Sequence, residues 1–181
     1  MGAIQVSEFQ INKKASEIRI GDIGFARTNG LMGKTIRLGE WLKWRSCEFN
    51  HTFVVVGTGS TYDDTWVVQA ELRGVTLRRL SELFPGASEI HLVAPPAEAD
   101  RKKIALFCIS QVGHPYGLMS IACIALDITT PDWFLAFRRK NTWICSALTA
   151  EACRYAGWYY DFPDVYIVTP TNLWKAFQNR K

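Results

Sequence analysis

No apolar run in this sequence is long enough to cross a bilayer. The longest, GLMSIACIALDI at residues 117–128, falls well short of the roughly 20 residues that a spanning helix needs, and Asp127 interrupts its end. The N-terminal stretch MGAIQVSEFQINKKASEI lacks the apolar core of a secretory signal. The expectation is a chain made in the cytoplasm without a signal peptide. Cysteine is present but unpatterned: there are five, an odd number, and no CxxC pair. That argues against a disulfide framework and against a structural zinc site, and fits a reducing compartment. No GxSxG occurs, so a serine nucleophile on a strand-to-helix elbow is excluded. The stretch GLMGKT at residues 30–35 ends Gly-Lys-Thr like a phosphate loop. That loop needs a glycine five positions before Gly33, and Thr28 stands there. No cofactor or metal is therefore expected. Internal repeats and low-complexity linkers are also absent.

Charge of one sign is not in large excess either. The formal charge is +4, which fits mild attraction to an acidic partner such as an envelope polymer. The short basic clusters Arg78-Arg79 and Arg101-Lys102-Lys103 read as solvated faces. Without a base-reading motif, no nucleic-acid partner is expected.

What remains is a globular chain of 181 residues, 48% hydrophobic and 21% charged, with room for a real core. Residues 1–18 are polar and mixed and read as an N-terminal arm or short helix. Residues 19–181 read as a single domain. β-branched, glycine-bounded runs predict strands over 20–28, 49–57, 65–72, 74–77 and 89–94, with a short one at 165–168. Helical spacing predicts helices over 34–45, 98–112, 117–128 and 144–155, and a last one begins at Thr169-Pro170. Residues 129–142 read as a polar loop. The class is α+β, with a central antiparallel sheet or half-barrel and flanking helices.

Two residues carry chemistry within that frame. Cys145, in NTWICSALTAEACRYAGW, opens a helical run and is followed by small Ser146 and Ala147. A helix N-terminus favours a thiolate, and its free N–H groups can serve an oxyanion. His51, in FNHTFVVVG, enters a long apolar strand, a rigid support for a base. The chain has only three histidines, so the rivals are few: His91 in the strand EIHLV, and His114 in a turn before Pro115. Cys108, Cys123 and Cys153 lack the setting of Cys145 and read as core residues.

In order along the chain, GDIGFART, FNHTFVVVG, VVQAELRGVTLRRLSELF, QVGHPYG, WICSALTAEACRYAG and VTPTNLW resemble the circularly permuted papain-like amidases, the YiiX-type branch of the NlpC-like cysteine hydrolases. The resemblance runs from about Ile20 to Trp174, and its motifs are individually short, so its specificity lies in their order. It implies a papain-like fold in which the histidine strand precedes the cysteine helix. It also implies Cys145 as nucleophile, His51 as base, and structural landmarks at Gly21-Asp22 and Pro115-Tyr116-Gly117. The family has an acidic residue where this chain has Gln69. Glu71 lies two residues on, on the same strand face, so either Gln69 or Glu71 is available to orient His51.

The resulting expectation is a cysteine-type amidase or endopeptidase acting through a thioacyl intermediate. The resemblance points to amide bonds in peptidoglycan stem peptides, reached from the cytoplasm by a phage particle, lysis or a secretion machine. Two alternatives stand beside it. One is an acyltransferase or lipid-amide hydrolase of the same fold, its acyl-lipid pocket lined by Trp133-Phe134 and Trp158-Tyr159-Tyr160. The other is a catalytically silent binding domain.

Overall fold

The computed structural model describes residues 9–29, 48–117, 142–159 and 168–179. The predicted helices at 34–45 and 117–128 lie outside these residues, Gly117 apart. So do most of the 129–142 loop and of the 165–168 strand, and Cys47, Cys123, Trp133, Phe134 and Tyr160.

Among the described residues six strands form one sheet: β1 (Gln10–Ile11), β2 (Ile23–Thr28), β3 (His51–Gly57), β4 (Trp66–Glu71), β5 (Gly74–Arg79) and β6 (Ala87–Val93). Their order across the sheet is β1-β6-β2-β3-β4-β5. All pairings are antiparallel except the edge, where β1 runs parallel to β6. The sheet is therefore mixed rather than purely antiparallel. The cause is local. The segment expected as an arm or short helix does carry a short 3-10 helix, Ala15–Glu17, but before it stands Asn12, whose side chain accepts from the Leu92 N–H and donates to the Leu92 carbonyl. One amide side chain thus completes an edge that a two-residue strand would leave open.

Three helices follow among the described residues: α1 (Arg101–Ser110), α2 (Cys145–Tyr155) and α3 (Pro170–Gln178). α1 is shorter than its apolar spacing predicts because Asp100 caps it, accepting from the N–H groups of Lys102 and Lys103. α2 ends at Tyr155 with Ala156 as its C-cap, and the chain turns away at Gly157, whose φ of 97° suits glycine. α3 starts on the Thr169 cap with Pro170 in its first turn. Residues Leu80–Gly86 form a 3-10 segment between β5 and β6 that no pattern in the sequence predicts. Its helical turns are too short to show a period.

Strand alternation divides the core into two layers. On one face Ile23, Phe25, Val54 and Val68 pack against Ile104 and Cys108 of α1, Leu148 of α2 and Leu173 of α3. On the other, Phe53, Val55, Val67, Ile90 and Leu92 pack with Ile18, Leu80 and Phe84. Gly24 allows this second layer to close, since a Cβ there would lie 2.1 Å from the Phe53 ring. Gly74 has φ 111°, and a Cβ on it would lie 2.6 Å from the His114 carbonyl oxygen. The β4–β5 hairpin can therefore lie against the chain that leads to Tyr116 only with glycine at that position.

Candidate active site

Cys145 is the first residue of α2, and Ile144 is its N-cap. α2 is pinned to β3 by a buried chain of hydroxyls. Thr149 Oγ1 donates to the Cys145 carbonyl at 3.0 Å, so its one hydrogen is used. Thr52 Oγ1 must then donate to Thr149 Oγ1, at 3.1 Å. Ser146, next in α2, donates its hydroxyl to the Val168 carbonyl. These bonds set the start of the helix beside the start of β3.

There the Cys145 thiol meets two backbone N–H groups, from Thr52 and Ser146, and the ring of His51. Burial works to raise the thiol's pKa. The facing imidazolium charge, its hydrogen bond and the two N–H groups outweigh that, and the net shift is downward. His51 is half-buried and opens onto a cleft. The surrounding protein works to lower its pKa, but the Cys145 charge and hydrogen bond, the Gln69 hydrogen bond and the Glu71 charge more than offset this. The imidazole is held above its ordinary value. The two shifts reinforce each other, as in a thiolate–imidazolium pair.

Gln69, buried on β4, faces His51 Nε2 through Oε1 at 2.7 Å. An amide oxygen only accepts, so Nε2 carries the hydrogen and Nδ1 is left to face the thiol. The strand register sets Gln69 opposite Phe53 rather than level with His51, so its side chain reaches the ring diagonally. Glu71, further along that register, turns the other way. Its Oε1 accepts from Arg78 Nε at 3.0 Å, Arg78 Nη2 at 2.7 Å and Thr76 Oγ1 at 3.2 Å. The structure thus brings Cys145, His51 and Gln69 into one row, with Glu71 beside it as a charge.

The other two histidines are engaged elsewhere. His91 pairs with Glu89 at 3.0 Å and packs tilted against Phe49 and edge-on against Trp174. His114 Nδ1 bonds Gln111 Oε1 at 2.9 Å. Cys108 and Cys153 lie fully buried in the helix-side core, and burial pushes the Cys108 thiol well up.

The row lines a cleft of about 490 Å³, bounded by Ala26 and Asn50 on one side, Leu83 and Ala87 on another, and Glu71, Arg73 and Arg78 toward the β4–β5 hairpin. Tyr116 stands in the same cleft. Burial, and then the nearby Cys145 charge, push its phenol far above the ordinary range, so it stays a hydrogen-bond donor. It is carried by a short parallel bridge to Trp143, two residues before the thiol. Sequence reasoning treated Tyr116 only as a landmark and missed Thr52 altogether. The one signal for Thr52 was a hydroxyl inside an otherwise apolar strand.

The fold and the row together define an α+β domain with a helix-start thiol, a strand-borne imidazole and an amide partner. No family model matches the chain, and neither does any curated protein. Among the described residues no helix is long and apolar enough to cross a membrane, and no group of three or more side chains is placed to hold a metal ion.

Proposed function

We propose that this protein is a cysteine hydrolase that cleaves amide bonds, with Cys145 as nucleophile and His51 as base and acid. One observation carries the reading: a buried thiol at a helix N-terminus is held below its ordinary pKa by a histidine whose far nitrogen is bound to Gln69. The core cysteine Cys108 does not have that setting; burial raises its thiol, and the nearby Cys153 adds to the rise.

In the proposed reaction the thiolate attacks a carbonyl carbon, and the tetrahedral oxyanion accepts from N–H groups at the start of α2, with the Tyr116 hydroxyl as a further donor. The imidazolium then gives its Nδ1 proton to the leaving amine, and a thioacyl enzyme remains. Water attacks it with His51 now acting as base, and the acid product leaves.

The cleft wall bears on the substrate. Glu71, Arg73, Arg78 and Glu82 are among the residues that line it, and they suit a peptide that carries charged groups. Of the aromatic residues considered for an acyl pocket, Trp158 packs on Phe177 and Tyr159 is exposed; neither lines the cleft. Peptidoglycan stem peptides are the leading substrate, a choice that rests on the sequence resemblance. The test is digestion of purified peptidoglycan with mass analysis of the products, run beside a panel of acyl lipids. New amine and carboxyl ends from wild type but not from Cys145→Ala support the reading. Turnover of acyl lipids alone replaces the substrate, and no Cys145-dependent turnover of either, with a thiol no more reactive than Cys108 or Cys153, leaves a binding domain.

A further inference from the structure

Glu71 occupies an odd position. The register pairs Phe53 with Gln69, Val54 with Val68 and Val55 with Val67. Continued toward the cleft, it sets Glu71 directly opposite His51 on the same sheet face. A carboxylate there has the shorter path to the ring, since directly opposed side chains stand closer than diagonal ones. It is also the stronger partner for an imidazolium. Yet the ring is bound by the diagonal, neutral Gln69.

The reason lies on the next strand. Opposite Glu71 on β5 is Gly74, which offers the carboxylate no side-chain partner. Thr76 and Arg78 project from the same face further along and take Glu71 Oε1 by three hydrogen bonds. Arg78 also reaches Glu82 of the 3-10 segment at 3.4 Å. The other charged or titratable groups lining the cleft near Glu71 are Arg73 on the hairpin turn, His51 on β3, Tyr116 and Cys145.

We propose that Arg78 is a positioning residue: by holding the Glu71 carboxylate on the β5 side, it reserves His51 Nε2 for the neutral amide of Gln69. The inference rests on the cysteine-hydrolase reading and adds to it a latent second partner for the base. With Arg78 in place, Glu71 acts on His51 only as a screened charge. Without Arg78, the carboxylate keeps only the longer Thr76 hydrogen bond and can swing to Nε2, and the chain gains an acid–histidine–cysteine row in place of an amide one.

Suppression tests this. The rate of Cys145 alkylation by iodoacetamide, followed by peptide mass analysis, needs no substrate. Gln69→Ala slows it about tenfold at pH 6, the size of a one-unit pKa change. Adding Arg78→Met to Gln69→Ala restores the rate to within about threefold of wild type, and adding Glu71→Gln as a third change removes the rescue. A pair of changes as slow as Gln69→Ala alone, or a rescue that survives without the Glu71 carboxylate, overturns the proposal. A second measurement avoids Gln69. The imidazole resonances of the chain's three histidines are titrated in Arg78→Met and Arg78→Lys. His51 moves up by about one pH unit in Arg78→Met and stays near wild type in Arg78→Lys, which keeps the ion pair. An unmoved His51 in Arg78→Met overturns the proposal. Failure to cleave any amide would sink the hydrolase reading while leaving these results intact.

Discussion

Cys145 and His51 each hold a charge that burial alone opposes, and each is the other's principal support. Cys145→Ala should abolish turnover and leave the fold intact, because alanine fits a helix start; residual amide cleavage by this variant is the result to look for. Cys153→Ala should keep activity and lose a modest amount of stability from the vacated core volume. His51→Ala removes the charge that lowers the thiol, so the Cys145 alkylation profile should move to higher pH and kcat should fall by orders of magnitude. In wild type the two shifts fix the sign of the pH dependence. Activity should rise with pH through a limb set below the ordinary thiol value of 9.0. It should fall through a limb set above the ordinary histidine value of 6.5. Both limbs belong to the pair rather than to either group. Gln69→Glu supplies a carboxylate at the Nε2 contact and should carry the alkaline limb higher while activity persists. An alkaline limb that stays in place, measured by kcat/KM across pH, would mean that residue 69 does not control the imidazolium.

The elements decide how well that pair is aimed. α2 is tied to β3 at two points close to the thiol: the Thr52 N–H on the sulfur, and the Thr52 hydroxyl on Thr149. Thr52→Val keeps the strand backbone and the N–H contact but leaves the buried Thr149 oxygen short of a donor. It should cost about 1 kcal/mol by chemical denaturation and lower kcat more than it changes KM, since the helix start loses its tie to the strand. An unchanged kcat would show that the backbone contact suffices. Much of this level was legible in the sequence. The β-branched run after His51, the small residues after Cys145 and the Thr-Pro start of α3 each mark their element by local chemistry alone. Boundaries moved where a cap or a neighbour intervened, as Asp100 does for α1 and Asn12 for the sheet edge.

Across the whole molecule, one buried carboxylate holds distant segments together. Asp22 is fully buried, pairs with Lys13 and with Arg101, both at 2.8 Å, and accepts from the Arg19 N–H. It thereby joins the N-terminal segment, the entry to β2 and the start of α1. Asp22→Ala should lower stability by about 2–3 kcal/mol, moderated because both cations are partly exposed and can rehydrate. Because the cysteine row is held by other contacts, the Cys145 alkylation rate of the folded fraction should stay near wild type. A large fall in that rate would place Asp22 in control of the site.

The sequence by itself determined the inventory: which residue is the candidate nucleophile, which the base, and in what order their elements come. Helix starts and buried strands are written in nearest-neighbour chemistry, and a thiol before small residues is readable without a fold. The partner of His51 was not readable. Gln69 and Glu71 share a strand face, and two residues of spacing do not say which one bends toward β3 and which toward β5. Only the tertiary structure decided it, because the choice depends on Thr76 and Arg78, residues of a third strand that take the Glu71 carboxylate. The parallel edge at β1 has the same origin. A pair of residues becomes a strand there because the Asn12 side chain finds Leu92, eighty residues away.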